Sequence, residues 1–155
     1  VTPNFTLAEF TRSTTAARRG FDNALPPHLI PAAQRTLELL ECIRAHLTAK
    51  ARREVPITIL SGYRSEAVNR AVGSSDTSDH RRAMAADIAA PAFGTPTEVA
   101  LELARVADVM GIGQLINEFP GPNGWVHVST RRPDKAINRI ITITSAGTVV
   151  GIKGA

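Results

Sequence analysis

The sequence predicts an α+β fold, a small antiparallel sheet with helices packed on one side, from three observations. Apolar residues recur at helical spacing in two long segments before Gly111. Two pairs of strand-like runs, each pair joined by a turn-rich loop, fill most of the chain after it. The 155 residues suit one domain with one core, residues 1–155, with a helix and arm over 1–30 and a hairpin over 130–155.

Thr6 and Glu9 have the spacing of a capping box and predict a short helix from Thr6 to Thr11. Ser13 to Pro27 is polar and ends in two prolines, which predicts an irregular surface arm. Apolar positions from Ile30 through Ala33, Leu37, Leu40, Ile43 and Leu47 mark the buried stripe of a helix reaching about Arg52, with Pro31 in its first turn. ITIL, Ile57 to Leu60, is a short strand after Pro56. Ser65 caps a helix from Glu66 to Val72, ended by Gly73. A polar loop, Ser74 to Asp79, leads to His80, and Met84 to Ala89 is a strand with Asp87 facing away from Ala86 and Ile88.

Thr95-Pro96-Thr97-Glu98 combines a cap, a first-turn proline and a glutamate at the third position. The helix it opens buries Val99, Leu103, Val106 and Met110 and stops at Gly111. Gln114–Phe119 and Trp125–Ser129 flank PGPNG, a hairpin loop, and Arg139–Thr144 and Thr148–Lys153 flank a second one at Ser145-Ala146-Gly147.

Composition narrows the function classes. Hydrophobic residues at 43% and charged residues at 21% fit a globular domain, and no run approaches the roughly 20 apolar residues of a membrane span. The opening VTPNFTLAEF lacks a basic segment followed by an apolar one, so no secretory signal is expected. A net charge of +4 favours an anionic partner, but aromatics at 5%, not interleaved with the basic pairs, argue against nucleic acid. Cys42 is the single cysteine, which excludes an intramolecular disulfide; in its Leu-rich helix it reads as a small buried hydrophobe.

The chemistry concentrates in two segments, SDHRRAMAAD from Ser78 to Asp87 and WVHVS from Trp125 to Ser129. They supply His80, Asp87 and His127, and two nitrogen ligands with one oxygen ligand make the protein half of a catalytic zinc site with its fourth position open. Strand alternation turns Trp125, His127 and Ser129 to one face and Val126 and Val128 to the other. Asp87 sits in an alanine-rich run where a buried, unpaired carboxylate would be costly, a cost a cation removes. His28 and His46 are read as uninvolved, and the i,i+4 pair Cys42 and His46 as packing.

These residues resemble the zinc D-alanyl-D-alanine carboxypeptidases, VanY-like peptidases that include phage endolysins and share the lysostaphin and hedgehog-type zinc fold. The family pattern S-x-H-x-x-G-x-A-x-D followed by a W-x-H strand is met by Ser78, His80, Ala85, Asp87, Trp125 and His127, and SGYRS, Ser61 to Ser65, matches an upstream segment. The resemblance runs from about Phe5 to Ser129. It implies one zinc ion per chain on His80, Asp87 and His127, and a peptidoglycan substrate. Arg64 would bind a substrate carboxylate through its guanidinium fork, or else form a structural salt bridge. Ser78 would hydrogen-bond the substrate, and Trp125 would wall the cleft or pack beside it.

Two positions depart from the pattern. Ala83 stands where the family has glycine, a modest change if its φ is negative. Gly124 stands where many members carry an acid, three positions before the last histidine. The nearest acid, Glu118, lies across the predicted hairpin and is expected to act as general base, the alternative being an exposed hairpin carboxylate. The implied function is hydrolysis of a stem-peptide bond, as a D-Ala–D-Ala carboxypeptidase or an L-Ala–D-Glu endopeptidase. The expected setting is a monomeric phage lysin at the host wall, a virion-associated lysin, or a secreted bacterial enzyme with its signal removed. The competing reading, prompted by Gly124, is a non-catalytic zinc-containing wall-binding or virion module.

Overall fold

The computed structural model describes residues 1–154. Its first helix, α1 (Leu7–Thr11), opens on the capping box: Thr6 Oγ1 accepts from the Glu9 amide, and the Glu9 carboxylate accepts from the Thr6 amide at 2.8 Å. The following arm is not wholly irregular. Ser13 caps a second short helix, α2 (Thr14–Arg19), which closes on Gly20 in the left-handed conformation. Six residues are too few to show an apolar period, so the cap was the only signal for it.

The long helix α3 (Ile30–Ala51) buries Ala33, Leu37, Leu40, Ile43 and Leu47 as their spacing requires. Cys42 does not follow them; it is exposed, because at 100° per residue it falls on the side opposite Leu40. The remaining elements are β1 (Thr58–Ser61), α4 (Glu66–Ala71), a 3-10 turn at Asp79–Arg82, β2 (Ala85–Ala89), α5 (Pro96–Met110), β3 (Gln114–Glu118), β4 (Trp125–Ser129), β5 (Ile140–Thr144) and β6 (Gly147–Val150). Among the described residues no helix is long and apolar enough to cross a membrane.

One six-stranded sheet, in the order β1-β2-β4-β3-β5-β6, carries the domain. It is antiparallel except where β5 runs parallel to β3. β4 already has β2 on one edge and β3 on the other, so the closing hairpin adds at the free edge of β3. The connection from β4 delivers it there in the direction of β3.

The register assigns every side chain a face. Ile59, Ala86, Ile88, Val126, Val128 and Leu115 form one layer, fully or nearly buried, in the same core cluster as the stripe of α3 and Val99, Leu103 and Ala107 of α5. Asn117 shares that face; it donates to Thr97 Oγ1 at 3.0 Å and to the Lys153 carbonyl at 2.9 Å, which ties the C-terminal segment to α5. Asp87, His127, Glu118 and Trp125 face the other way.

Candidate metal centre

The central three strands set two of the three ligand candidates by register alone. Asp87 on β2 lies opposite His127 on β4, which in turn lies opposite Ile116 on β3. His127 Nδ1 stands 3.0 Å from Asp87 Oδ1. His80 comes from outside the sheet, on the 3-10 turn before β2, and its Nε2 stands 3.2 Å from the same oxygen. One ligand atom from each of His80, Asp87 and His127 falls within 4.8 Å of the others, and all three residues are buried. Among the described residues this is the one such cluster of metal-ligating side chains.

The donor set fits zinc. Two imidazole nitrogens and one carboxylate oxygen converge, and the cleft beyond them leaves a fourth position for water or substrate. His80 Nδ1 donates to the Gly62 carbonyl at 2.7 Å, which fixes its tautomer and leaves Nε2 for the ion. Gly62 has no room for a side chain: a Cβ there would overlap the carbonyl and ring of Phe10 in α1. The N-terminal helix therefore packs directly on the carbonyl-bearing segment that orients His80.

The electrostatics follow from this packing. Burial alone would raise the Asp87 carboxyl, but the charge of His80 and the hydrogen bond from His127 outweigh it and hold it well below the ordinary carboxylate range. Burial opposes the charged form of His127 too, yet the hydrogen bond and charge of Asp87 push it up.

Arg64 donates through Nη2 to Asp87 Oδ2 at 2.9 Å and through Nε to Ser61 Oγ at 3.0 Å. Nη2 thus orients the carboxylate ligand while Nε anchors the guanidinium on Ser61, the salt-bridge alternative the sequence left open. The arm supports this loop as well. Asn23 donates to the Thr11 and Tyr63 carbonyls and accepts from the Ser65 amide at 2.7 Å.

Ser78 Oγ accepts from the His80 amide at 3.3 Å and so caps the turn that presents the imidazole. The condition that would make the change at Ala83 modest, a negative φ, is not met. Ala83 closes that turn at φ 56°, a conformation that costs a residue with a Cβ about 1 kcal/mol. It is held there because its carbonyl accepts from Thr36 Oγ1 of α3 at 2.8 Å and its methyl is buried in the core. A glycine at that family position would carry no such cost.

Glu118 reaches the centre from β3, with Oε1 4.0 Å from His127 Nδ1. It is paired across the strands with Trp125, and burial, then the nearby Asp87 charge, raise its carboxyl above the ordinary glutamate value. Position 124 has no space for an acid: a Cβ there would overlap the backbone oxygens of Phe119 and Glu118. Arg64, Ser78, His80, Asp87, Glu118, Trp125 and His127 all line one cleft of about 510 Å³.

Sequence reasoning missed Asp79. Its carboxylate is buried, accepting from Ser129 Oγ at 2.8 Å and from Arg131 Nε at 2.6 Å. The turn that carries His80 is thereby fastened to the end of the strand that carries His127. Nothing in the spacing of Asp79 and Arg131 announces the pair, since it forms only when β2 and β4 come together. The other pair considered, Cys42 and His46, is no ligand set: His46 Nε2 bonds Glu102 of α5 at 2.9 Å.

A family model described as Peptidase M15 matches residues 3–129. No curated protein matches the chain.

Proposed function

The chain belongs to the peptidase M15 family and is a zinc metallopeptidase, and from this premise we propose that it cleaves the stem peptides of peptidoglycan. The observation that carries the reading is a buried His80–Asp87–His127 group opening onto a cleft that also contains a carboxylate with a raised proton affinity and an arginine. His80 through Nε2, His127 through Nδ1 once it has released any proton shared with Asp87, and Asp87 through one carboxylate oxygen would hold the ion. When bound, zinc supplies Lewis acidity to the scissile carbonyl and to the attacking water.

The protein groups supply positioning and proton transfer. Glu118 in its ionised form takes a proton from the attacking water and returns it to the leaving amine. Its raised proton affinity suits both halves of that task better than an ordinary surface glutamate would. Arg64 aims Asp87, and Nη1, which takes part in neither of these contacts, would bind a substrate carboxylate of the kind stem peptides carry. Ser78 and Trp125 line the same cleft, where they would border the scissile segment. The net charge of +4 favours residence at an anionic wall. The motive for a non-catalytic module, the missing acid at position 124, falls away once Glu118 serves from the facing strand.

Zinc-loaded protein incubated with purified sacculi tests the proposal. New peptide termini, or released D-Ala, are expected in the mass spectrum of the digest, and their identity names the bond. Intact stem peptides after prolonged incubation with protein carrying one zinc per chain would overturn the substrate assignment.

A further inference from the structure

The residue after β3 is not accounted for by the fold or by the zinc chemistry. Phe119 has φ 49°, in the left-handed region, where a bulky side chain is an outlier. It is also 45% exposed, so burial does not compensate for the backbone cost. The conformation is enforced from both sides. The Phe119 amide donates to the Ile143 carbonyl of β5 at 2.8 Å, and side-chain-free Gly124 packs against the Phe119 carbonyl. The result is a ring projected into the lining of the zinc cleft, 5.5 Å from the Trp125 ring and tilted by 49° to it. Strain that the surrounding structure holds in place at a cleft is the pattern expected where a residue serves binding rather than stability.

We propose that Phe119 and Trp125 form an aromatic platform that binds a C–H-bearing face of the substrate next to the scissile bond. This rests on the peptidoglycan reading above. Apart from Val72 and Gly73, the rest of the cleft lining is polar or charged: Arg64, Ser74, Ser78, Glu118 and the ligand group. Those groups bind carboxylates, amides and the ion, and leave unmatched the apolar faces that peptidoglycan also presents. Two parts of it carry such faces, the aliphatic side chains of the stem peptide and the ring faces of the sugars. Aromatic rings hold either by the same contact.

The strain makes the platform separable from stability. Asparagine tolerates the left-handed region, so Phe119→Asn relieves the backbone while removing the ring. Trp125 is the only tryptophan, so its emission reports occupancy of the platform directly. Zinc-loaded wild-type and Phe119→Asn proteins would be titrated with a glycan-free stem peptide and with the disaccharide-bearing muropeptide, and KM and kcat measured on both. The wild type should show a saturable change in Trp125 emission. The variant should bind about three- to tenfold more weakly, with KM raised more than kcat is lowered and with Tm equal to or above wild type.

Weakening with both ligands assigns the platform to the peptide, and weakening with the muropeptide alone assigns it to the sugar. Equal affinities for variant and wild type would overturn the proposal. So would a variant with lowered Tm and lost zinc, which would make the ring part of the fold. Failure of the wild type to cleave either ligand would instead count against the substrate reading, and the emission titration would still decide the platform.

Discussion

The two faces of β2, β3 and β4 are one residue apart in sequence and are built by different rules. On one face Ile88, Val126, Val128 and Leu115 meet α3 and α5 in a layer held by apolar burial, which has no direction and tolerates exchange among side chains of like volume. On the other, Asp87, His127 and Glu118 each have named partners at hydrogen-bonding or near-contact distance. The first face supplies stability and the second supplies chemistry. The alternation of the strand keeps them apart, so a side chain on one face can change while the other keeps its place. The difference teaches that damage to the two faces should be separable, with loss of folding on one side and loss of function in a folded protein on the other.

The largest break in that comparison is expected from His127→Ala. It should remove zinc and activity together, read by metal content per chain and by release of new termini, while the far-ultraviolet circular dichroism stays native. Glu118→Gln comes next. It should lower turnover by about 10²–10⁴-fold with zinc still near one per chain.

The pH behaviour of Glu118 carries a sign that can be checked. Its carboxyl is raised by burial and by Asp87, so the ionised base is lost as pH falls through a midpoint above the ordinary glutamate value. A carboxyl titration of the metal-free protein followed by NMR should show that midpoint, and bound zinc should lower it. A raised carboxyl also means that its charged form costs the folded state stability above that midpoint, a cost that vanishes as pH falls. Metal-free Glu118→Gln should therefore melt no lower than wild type at neutral pH.

Leu115→Ala probes the opposite face. A loss of about 2–5 kcal/mol is expected by denaturant unfolding, with zinc affinity retained by the folded fraction. A loss of zinc affinity equal to that of a ligand variant would show that the faces are coupled. Asp79→Asn tests the fastening of the His80 turn to the end of β4 and should weaken zinc binding by roughly ten- to a hundredfold, read by competition with a chromophoric chelator. Cys42→Ser should do least, within about 0.5 kcal/mol of wild type, because the thiol is exposed off the buried stripe of α3.

Most of the elements were legible because their signals are local. The stripe of α3, the boxes at Thr6–Glu9 and Thr95–Glu98 and the alternation of WVHVS each need only a few neighbouring residues, and each was found where it was expected. The ligand candidates were legible for the same reason, since His80 and Asp87 sit seven positions apart and His127 in a strongly patterned strand. What escaped was short or long-range. α2 is too brief for periodicity, the parallel pairing of β5 depends on which edge β3 leaves free, and Asp79 meets Arg131 only across the assembled sheet. Cys42 is exposed, not buried as its Leu-rich stretch suggests, because its angle around the helix and not its neighbours in sequence sets its surroundings.

By itself the sequence determined which residue types exist to do chemistry, which strand face Asp87 and His127 would occupy and where the helices other than α2 begin and end. These follow from fixed periods of 2 and 3.6 residues and from caps that act within one turn. Only the tertiary structure decided that Arg64 grips Asp87, that Glu118 stands beside His127 while position 124 has no room for an acid, and that Ala83 and Phe119 are held in left-handed conformations. The physical reason is that contacts across strands and at close backbone approaches depend on register and on packing volume, which no short stretch of chain contains.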